Sequence, residues 1–217
     1  LGVGSPTNDW IEQQGSGNTL LGNNTTNSPI YKTNIINGKA ILRFDATDDY
    51  CTRSSGINLN SASWTCTAVI NRTTSGTPVL ATIMGGSNAN CPVFGIWKDE
   101  SGGTGSTNKL MLAKLNVDSG KFSTTAISTS SGWHIVTVRY KGAPTNTYEF
   151  WIDRVAAGNG SYTQTWTGSA GADAGNCYVG HPYPFGGDIA EILWSKTGIS
   201  DGDKDTNEGY CQGKYGL

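Results

Sequence analysis

A succession of short apolar runs, each about 4–9 residues long and closed by Gly, Ser, Asn or Pro, most constrains this chain. The runs are Lys39–Asp45, Trp64–Arg72, Pro78–Gly85, Pro92–Lys98, Lys109–Leu115, Trp133–Tyr140, Thr147–Asp153, Cys177–Gly180 and Asp188–Trp194. Within them apolar residues alternate, as Ala40, Leu42 and Phe44 do against Lys39, Ile41 and Arg43. Alternation sends successive side chains to opposite faces of a strand. No amphipathic helix separates the runs, and a parallel α/β sheet needs one at each crossover. The expected fold is therefore all-β, a two-sheet antiparallel jelly-roll sandwich. The 217 residues fit one such domain.

A single helix is expected at the end. Ser200 is placed to cap it, with Asp203 three residues on as the partner of a capping box. Tyr210, Cys211 and Tyr215 then fall near one helical face. Gly202, Gly209 and Gly213 each weaken the helix by up to about 1 kcal/mol, so docking on the sandwich must hold it. Residues 1–38 read as ordered loop with short strands, anchored by Trp10, Leu20, Leu21, Ile30 and Tyr31. The glycine-rich stretch Ser101–Ser106 reads as a loop rather than a linker, because strands flank it closely.

Charged residues make up 15% of the chain, against a usual share near ~25%, and the formal net charge is -2. No basic footprint exists for nucleic acid, and no apolar run approaches the ~20 residues that span a bilayer. The five cysteines, Cys51, Cys66, Cys91, Cys177 and Cys211, are odd in number and lack C-x-x-C spacing. Zinc therefore has little support. Their apolar neighbours favour buried free thiols over a disulfide framework, and hence folding in a reducing compartment.

The closing run, Phe185-Gly-Gly-Asp-Ile-Ala-Glu-Ile-Leu-Trp194, is followed by Ile199-Ser-Asp201, Glu208-Gly-Tyr210 and Lys214-Tyr-Gly-Leu217. It resembles the closing motif of laminin-G-like, concanavalin A-like jelly-roll domains. Trp10, Gly15–Asn18, Pro29-Ile-Tyr31, Asn37–Asp45, Gly132–Val138 and Tyr148–Asp153 resemble further blocks of that family, in the family's order. The resemblance covers nearly the whole chain and implies one laminin-G-like domain over residues 1–217, cut from a longer polypeptide. It departs from the family at the start, where the opening strand is missing. A neighbouring chain that supplied it would make the domain an assembly or spacer module. Domains with this closing motif occur in bacteriophage structural proteins and in secreted bacterial multidomain proteins.

No catalytic constellation stands out. The E-x-D-x-x-E strand of concanavalin-like glycoside hydrolases is absent. Asp188 and Glu191 have opposite parity on a strand, so alternation puts them on opposite faces in a structural role. His134 and His181 lack the Arg and Tyr companions of the fold's polysaccharide lyases. The expectation is a non-enzymatic module.

Glu149, Trp151 and Asp153 share a face in the Thr147–Asp153 run, opposite Tyr148, Phe150 and Ile152. An aromatic ring between two acceptors suits a pyranose, whose face stacks and whose hydroxyls bond. The alternative is that Trp151 packs under a loop while the carboxylates stay solvated. Trp97, which opposes Phe94 and Ile96, and Tyr183, in the loop His181–Pro184, complete the candidate ligand-binding set. Some laminin-G-like domains hold calcium on loop carboxylates. Asp173 and Asp188 are candidates here, but no D-x-D-x-D-G run marks a site, so calcium stays open.

Together these readings give a glycan- or receptor-binding module of a phage virion surface, in a fibre, decoration or tail protein beside neighbouring subunits. The alternatives are the assembly or spacer domain, or a module of a secreted or cell-surface bacterial protein acting on polysaccharide.

Overall fold

The alternating runs become strands of two stacked antiparallel sheets in the computed structural model, which describes residues 20–22, 27–53, 63–73, 80–86, 92–97, 108–114, 120–127, 132–164, 166, 172–174 and 183–217. In chain order the strands are β1 (Leu20–Gly22), β2 (Ile30–Ile36), β3 (Lys39–Asp45), β4 (Cys51–Arg53), β5 (Ser63–Arg72), β6 (Leu80–Gly86) and β7 (Pro92–Trp97). They continue as β8 (Lys109–Lys114), β9 (Lys121–Ala126), β10 (Trp133–Lys141), β11 (Thr147–Ile152), β12 (Val155–Ser161), β13 (Ala172–Ala174) and β14 (Gly186–Ser195), and helix α1 (Asp201–Tyr215) follows. The front sheet runs β1-β4-β13-β6-β7-β8-β9, and the back sheet runs β12-β11-β10-β5-β14-β3-β2. The expected opening-strand gap and the run at Cys177 fall outside the described residues.

Inward-facing residues of both sheets meet in one core. From the back sheet come Leu42, Phe44, Trp64, Cys66, Ala68, Ile70, Val136, Val138, Tyr140 and Phe150, and from the front Ile83, Phe94, Ile96, Leu110 and Leu112. Aromatic rings fill one end, where Trp64 stacks on Trp194 at 4.8 Å and Tyr140 meets Trp166 edge-on at 5.3 Å. Cys51, Cys66 and Cys211 are buried free thiols, as their apolar surroundings predict. Burial raises the Cys66 thiol far above its usual range, and burial reinforced by the Glu191 carboxylate pushes Cys211 up to about 12. Both stay protonated.

A second apolar layer lies behind the back sheet. Ile36, Ile41, Val69, Ile135 and Ala190 point away from the core and pack against Cys211 and Tyr215 of α1. Ser200 caps the helix by accepting from the Asp203 amide at 3.1 Å, and left-handed Gly216 ends it. Its docked face is Lys204, Glu208, Cys211 and Tyr215, while Tyr210 lies on the flank and is 47% exposed. The expected face was thus shifted by one position at its start, because charged residues rather than aromatics continue it towards the N-terminus.

The family-like closing motif is explained by this docking. Asp188 accepts two hydrogen bonds from the Arg43 guanidinium, at 2.7 and 2.9 Å, tying β14 to β3. Glu191, fully buried, accepts from Lys214 Nζ at 3.1 Å on each oxygen and from the Tyr210 hydroxyl at 3.2 Å. Tyr215 donates to the Ala190 carbonyl at 3.1 Å. Strand parity put Asp188 and Glu191 on opposite faces, and the register corrects this. Asp188 pairs with Asn71 and Glu191 with Val69, because a bulge between Ile189 and Glu191 inserts one residue. Both carboxylates therefore face the helix side, in the structural role expected of them.

Lys214→Met removes the cation from a carboxylate that has no route to water. A loss of about 3–5 kcal/mol is expected in urea unfolding, and adding Glu191→Gln to the same protein is expected to return part of it.

Candidate functional site

The two sheets present their outer faces differently, and the sequence-predicted residues divide between them. Glu149 and Trp151 lie behind the back sheet, beside the N-terminal turn of α1. Trp97 and Tyr183 lie on the front. The five residues do not form one site.

Behind the back sheet the charges are spent on one another. Arg139, its side chain 2% exposed, reaches Glu149 at 2.6 Å, Asp201 at 2.7 Å and the Ile199 carbonyl at 2.8 Å. Burial opposes its charge, but hydrogen bonds to Glu149 and Asp201 outweigh this and raise its pKa. Lys204 holds Asp205 at 2.6 Å and Glu208 at 2.8 Å. The Arg139 guanidinium and the Lys204 ammonium lie 5.0 and 4.9 Å from the centre of the Trp151 ring. Trp151 is thus an anchor for two cations that pin the helix.

Asp153 does not share the strand face with Glu149 and Trp151. Asp153 and Arg154 both have positive φ, 51° and 69°, and form the two-residue turn between β11 and β12. From that turn Asp153 accepts from the Ile135 amide at 2.9 Å and meets His134 Nδ1 at 2.7 Å. His134 therefore orients a hairpin.

The front sheet brings Trp97 and Tyr183 together. Gly95 and Trp97 alternate outwards between inward Phe94 and Ile96, as do Lys109, Met111 and Ala113 around Leu110 and Leu112. Register sets Thr82, Gly95, Met111 and Phe122 in one cross-strand row, and Trp97, Lys109 and Ala126 in the next. Buried Val93, Met111 and Ala113 make an apolar base, against which Trp97, Phe122 and Tyr183 pack while keeping part of their surface exposed. Trp97 and Phe122 meet edge-on, 6.0 Å between ring centres. The Tyr183 carbonyl accepts from the Thr82 amide at 3.1 Å, fixing its segment beside β6. Two polar atoms of this patch are buried without a hydrogen-bond partner, the Trp97 indole nitrogen and the Thr82 hydroxyl. Phe122 and Lys109 were missed by sequence reasoning. Phe122 lies in Lys-Phe-Ser-Thr-Thr-Ala, a run too polar to read as a strand, and only the pairing of Met111 with Phe122 reveals it.

The two carboxylates that the sequence offered for calcium lie in different sheets. Asp188 commits both oxygens to Arg43, and Asp173 sits in β13, paired with Gly85. Among the described residues, Asp45, Asp48 and Asp49 are the group whose oxygens approach within 4.8 Å of one another. Asp49 is 4% exposed and accepts from the Asp45 amide at 2.8 Å. The sequence signal was present as D-x-x-D-D after a strand.

Similar folds are known. The chain superposes on domain 4 of an extracellular GH43 arabinanase from Geobacillus stearothermophilus, solved with arabinotriose, with a TM-score of 0.61 and 14% identity over 86% of this chain and 83% of that one. It also superposes on tailspike protein 2 of an Escherichia coli O157:H7 bacteriophage, with a TM-score of 0.59 and 16% identity over 92% of this chain and 28% of that one. A candidate carbohydrate-binding protein from Bacteroides ovatus gives 0.58 and 18% identity, over 73% of this chain and 44% of that one. The chain therefore spans less than half the length of the last two proteins. No protein-family model and no curated protein matches the sequence. What is shared is the sandwich fold.

Asp49 carries a pH consequence. Burial is the main cause that pushes its carboxyl up to about 6, from an ordinary 3.8. A carboxyl with a raised folded pKa favours the folded state most below pH ~4, and that advantage is lost as pH rises through ~6. Asp49→Asn is expected to raise unfolding stability at pH 7 by on the order of 1–2 kcal/mol and to add nothing at pH 3.5. Urea titrations at the two pH values check this.

Proposed function

We propose that this domain is a non-enzymatic binding module that takes a glycan on the outer face of its front sheet. The observation that carries the reading is the grouping of Trp97, Phe122 and Tyr183, each partly exposed, over an apolar base of Val93, Met111 and Ala113. Partly exposed rings on a rigid sheet supply stacking surfaces for sugar faces at low entropic cost. The opposite face is spent on docking α1, so Trp151 and Glu149 serve the helix and Trp97 and Tyr183 serve the ligand. Similar folds solved with arabinotriose, or belonging to a phage tailspike, support a saccharide as the ligand class.

The setting we favour is a virion surface, where a tail or fibre protein meets a host glycan. The buried free thiols fit folding in a host cytoplasm, and the tailspike superposition covers 92% of this chain. A module of a secreted polysaccharide-active protein is the second reading, supported by the arabinanase domain. Both readings take the domain as a binding module, and the commitment of Asp188 to Arg43 and of Glu191 to Lys214 supports that.

Glycan-array and host-cell adsorption measurements test the proposal. Trp97→Ala is expected to weaken binding by at least about tenfold, the scale of one lost aromatic contact. Trp151→Ala is expected to keep the affinity and lower the melting temperature. Unchanged binding by Trp97→Ala would remove the front face as the site.

A further inference from the structure

The aromatic patch on the front sheet also holds polar groups. Lys109 stands opposite Trp97 in register, on the outer face, and is half-buried. Several other buried or half-buried cations are paired with anions: Arg139 has Glu149 and Asp201, and Lys204 and Lys214 have Glu208 and Glu191. No described contact engages the Lys109 ammonium, either by ion pair or over a ring. One strand away, the Trp97 indole N–H is a buried donor with no acceptor, and the Thr82 hydroxyl is buried without a partner.

These groups have one chemistry in common. An ammonium and an indole N–H only donate, and a hydroxyl donates as readily as it accepts. A partly desolvated cation beside unsatisfied donors is complemented by a ligand rich in acceptors and carrying negative charge. A neutral sugar offers hydroxyls, which satisfy the donors but leave the ammonium uncompensated. An acidic sugar satisfies both.

We propose that the glycan taken by this face is acidic, bearing a carboxylate or a sulfate, and that Lys109 reads the charge. The inference rests on the reading of the front face as a glycan site and adds to it a ligand class and a specificity residue. Trp97, Phe122 and Tyr183 hold the sugar rings, and Lys109 sets the preference among them. The short reach across the register keeps the charged group of the ligand close to the Trp97 ring, so stacking and ion pairing are made by the same sugar unit.

Isothermal titration with three probes tests this: oligogalacturonate, a sulfated galactan oligosaccharide, and the neutral galactan of matching length. Wild type is expected to bind at least one acidic probe about tenfold more tightly than the neutral one at low salt, and which acidic probe wins separates carboxylate from sulfate. Lys109→Gln is expected to bring acidic and neutral affinities within about twofold by lowering the acidic one alone, with an unchanged melting temperature. Lys109→Arg is expected to keep the preference. Equal wild-type affinity for acidic and neutral probes, or a preference that survives Lys109→Gln, would overturn the inference. A Trp97→Ala variant distinguishes the two levels. If it binds all probes like wild type, the front-face reading itself fails. If it loses all binding while Lys109→Gln changes nothing, only the charge inference fails.

Discussion

Burial of the central strand β5 on both sides is the constraint from which the rest follows. Trp64, Cys66, Ala68 and Ile70 enter the core, while Val69 on the other face is equally closed to solvent. A strand in the middle of an antiparallel sheet can leave one face wet, but this one carries an apolar residue that needs a cover. Helix α1 is that cover. It is short of apolar residues, so it docks with lysines and carboxylates as well as with Cys211 and Tyr215. Each buried charge then requires a partner, which is why Glu191, Lys204, Glu208 and Arg139 are so closely matched.

That arrangement divides labour between the faces. Behind the back sheet, aromatic and charged groups are consumed in holding the helix. On the front sheet the same kinds of group sit over small and apolar residues, and among the described residues no helix covers them. Two tryptophans that look equivalent in the sequence therefore do different things. Trp151 is flanked by cations of its own protein, whereas Trp97 stands next to Lys109, which has no ion-pair partner among the described residues. The difference is set by tertiary context, since both lie in alternating strands.

Strand alternation made most of the sandwich legible. β3 is found at its expected bounds, and β5, β7, β8, β10, β11 and β14 within one or two residues of theirs. β9 and β12 escaped because Lys-Phe-Ser-Thr-Thr-Ala and Val-Ala-Ala-Gly-Asn-Gly-Ser carry few large apolar side chains. They are held instead by their neighbours in the sheets and by the Thr124 hydroxyl donating to the Ala157 carbonyl at 2.9 Å. Parity failed wherever the backbone broke period: at the bulge before Glu191 and at the Asp153 turn. The candidate site was half legible. Trp97 and Tyr183 followed from their strand and loop, but Lys109 and Phe122 became neighbours only through pairing of strands that the sequence does not specify.

The three buried thiols among the described residues lie in different layers of this architecture. Cys66 sits between the sheets, with its sulfur 3.7 Å from that of Met84, and Cys51 belongs to the same core. Cys211 sits outside the back sheet, beneath the helix. An alkylating reagent attacks only a thiolate that meets solvent. The molecule therefore carries its own depth gauge. Modification of Cys211 alone records the helix lifting from an intact sandwich, whereas modification of Cys51 and Cys66 records separation of the sheets themselves.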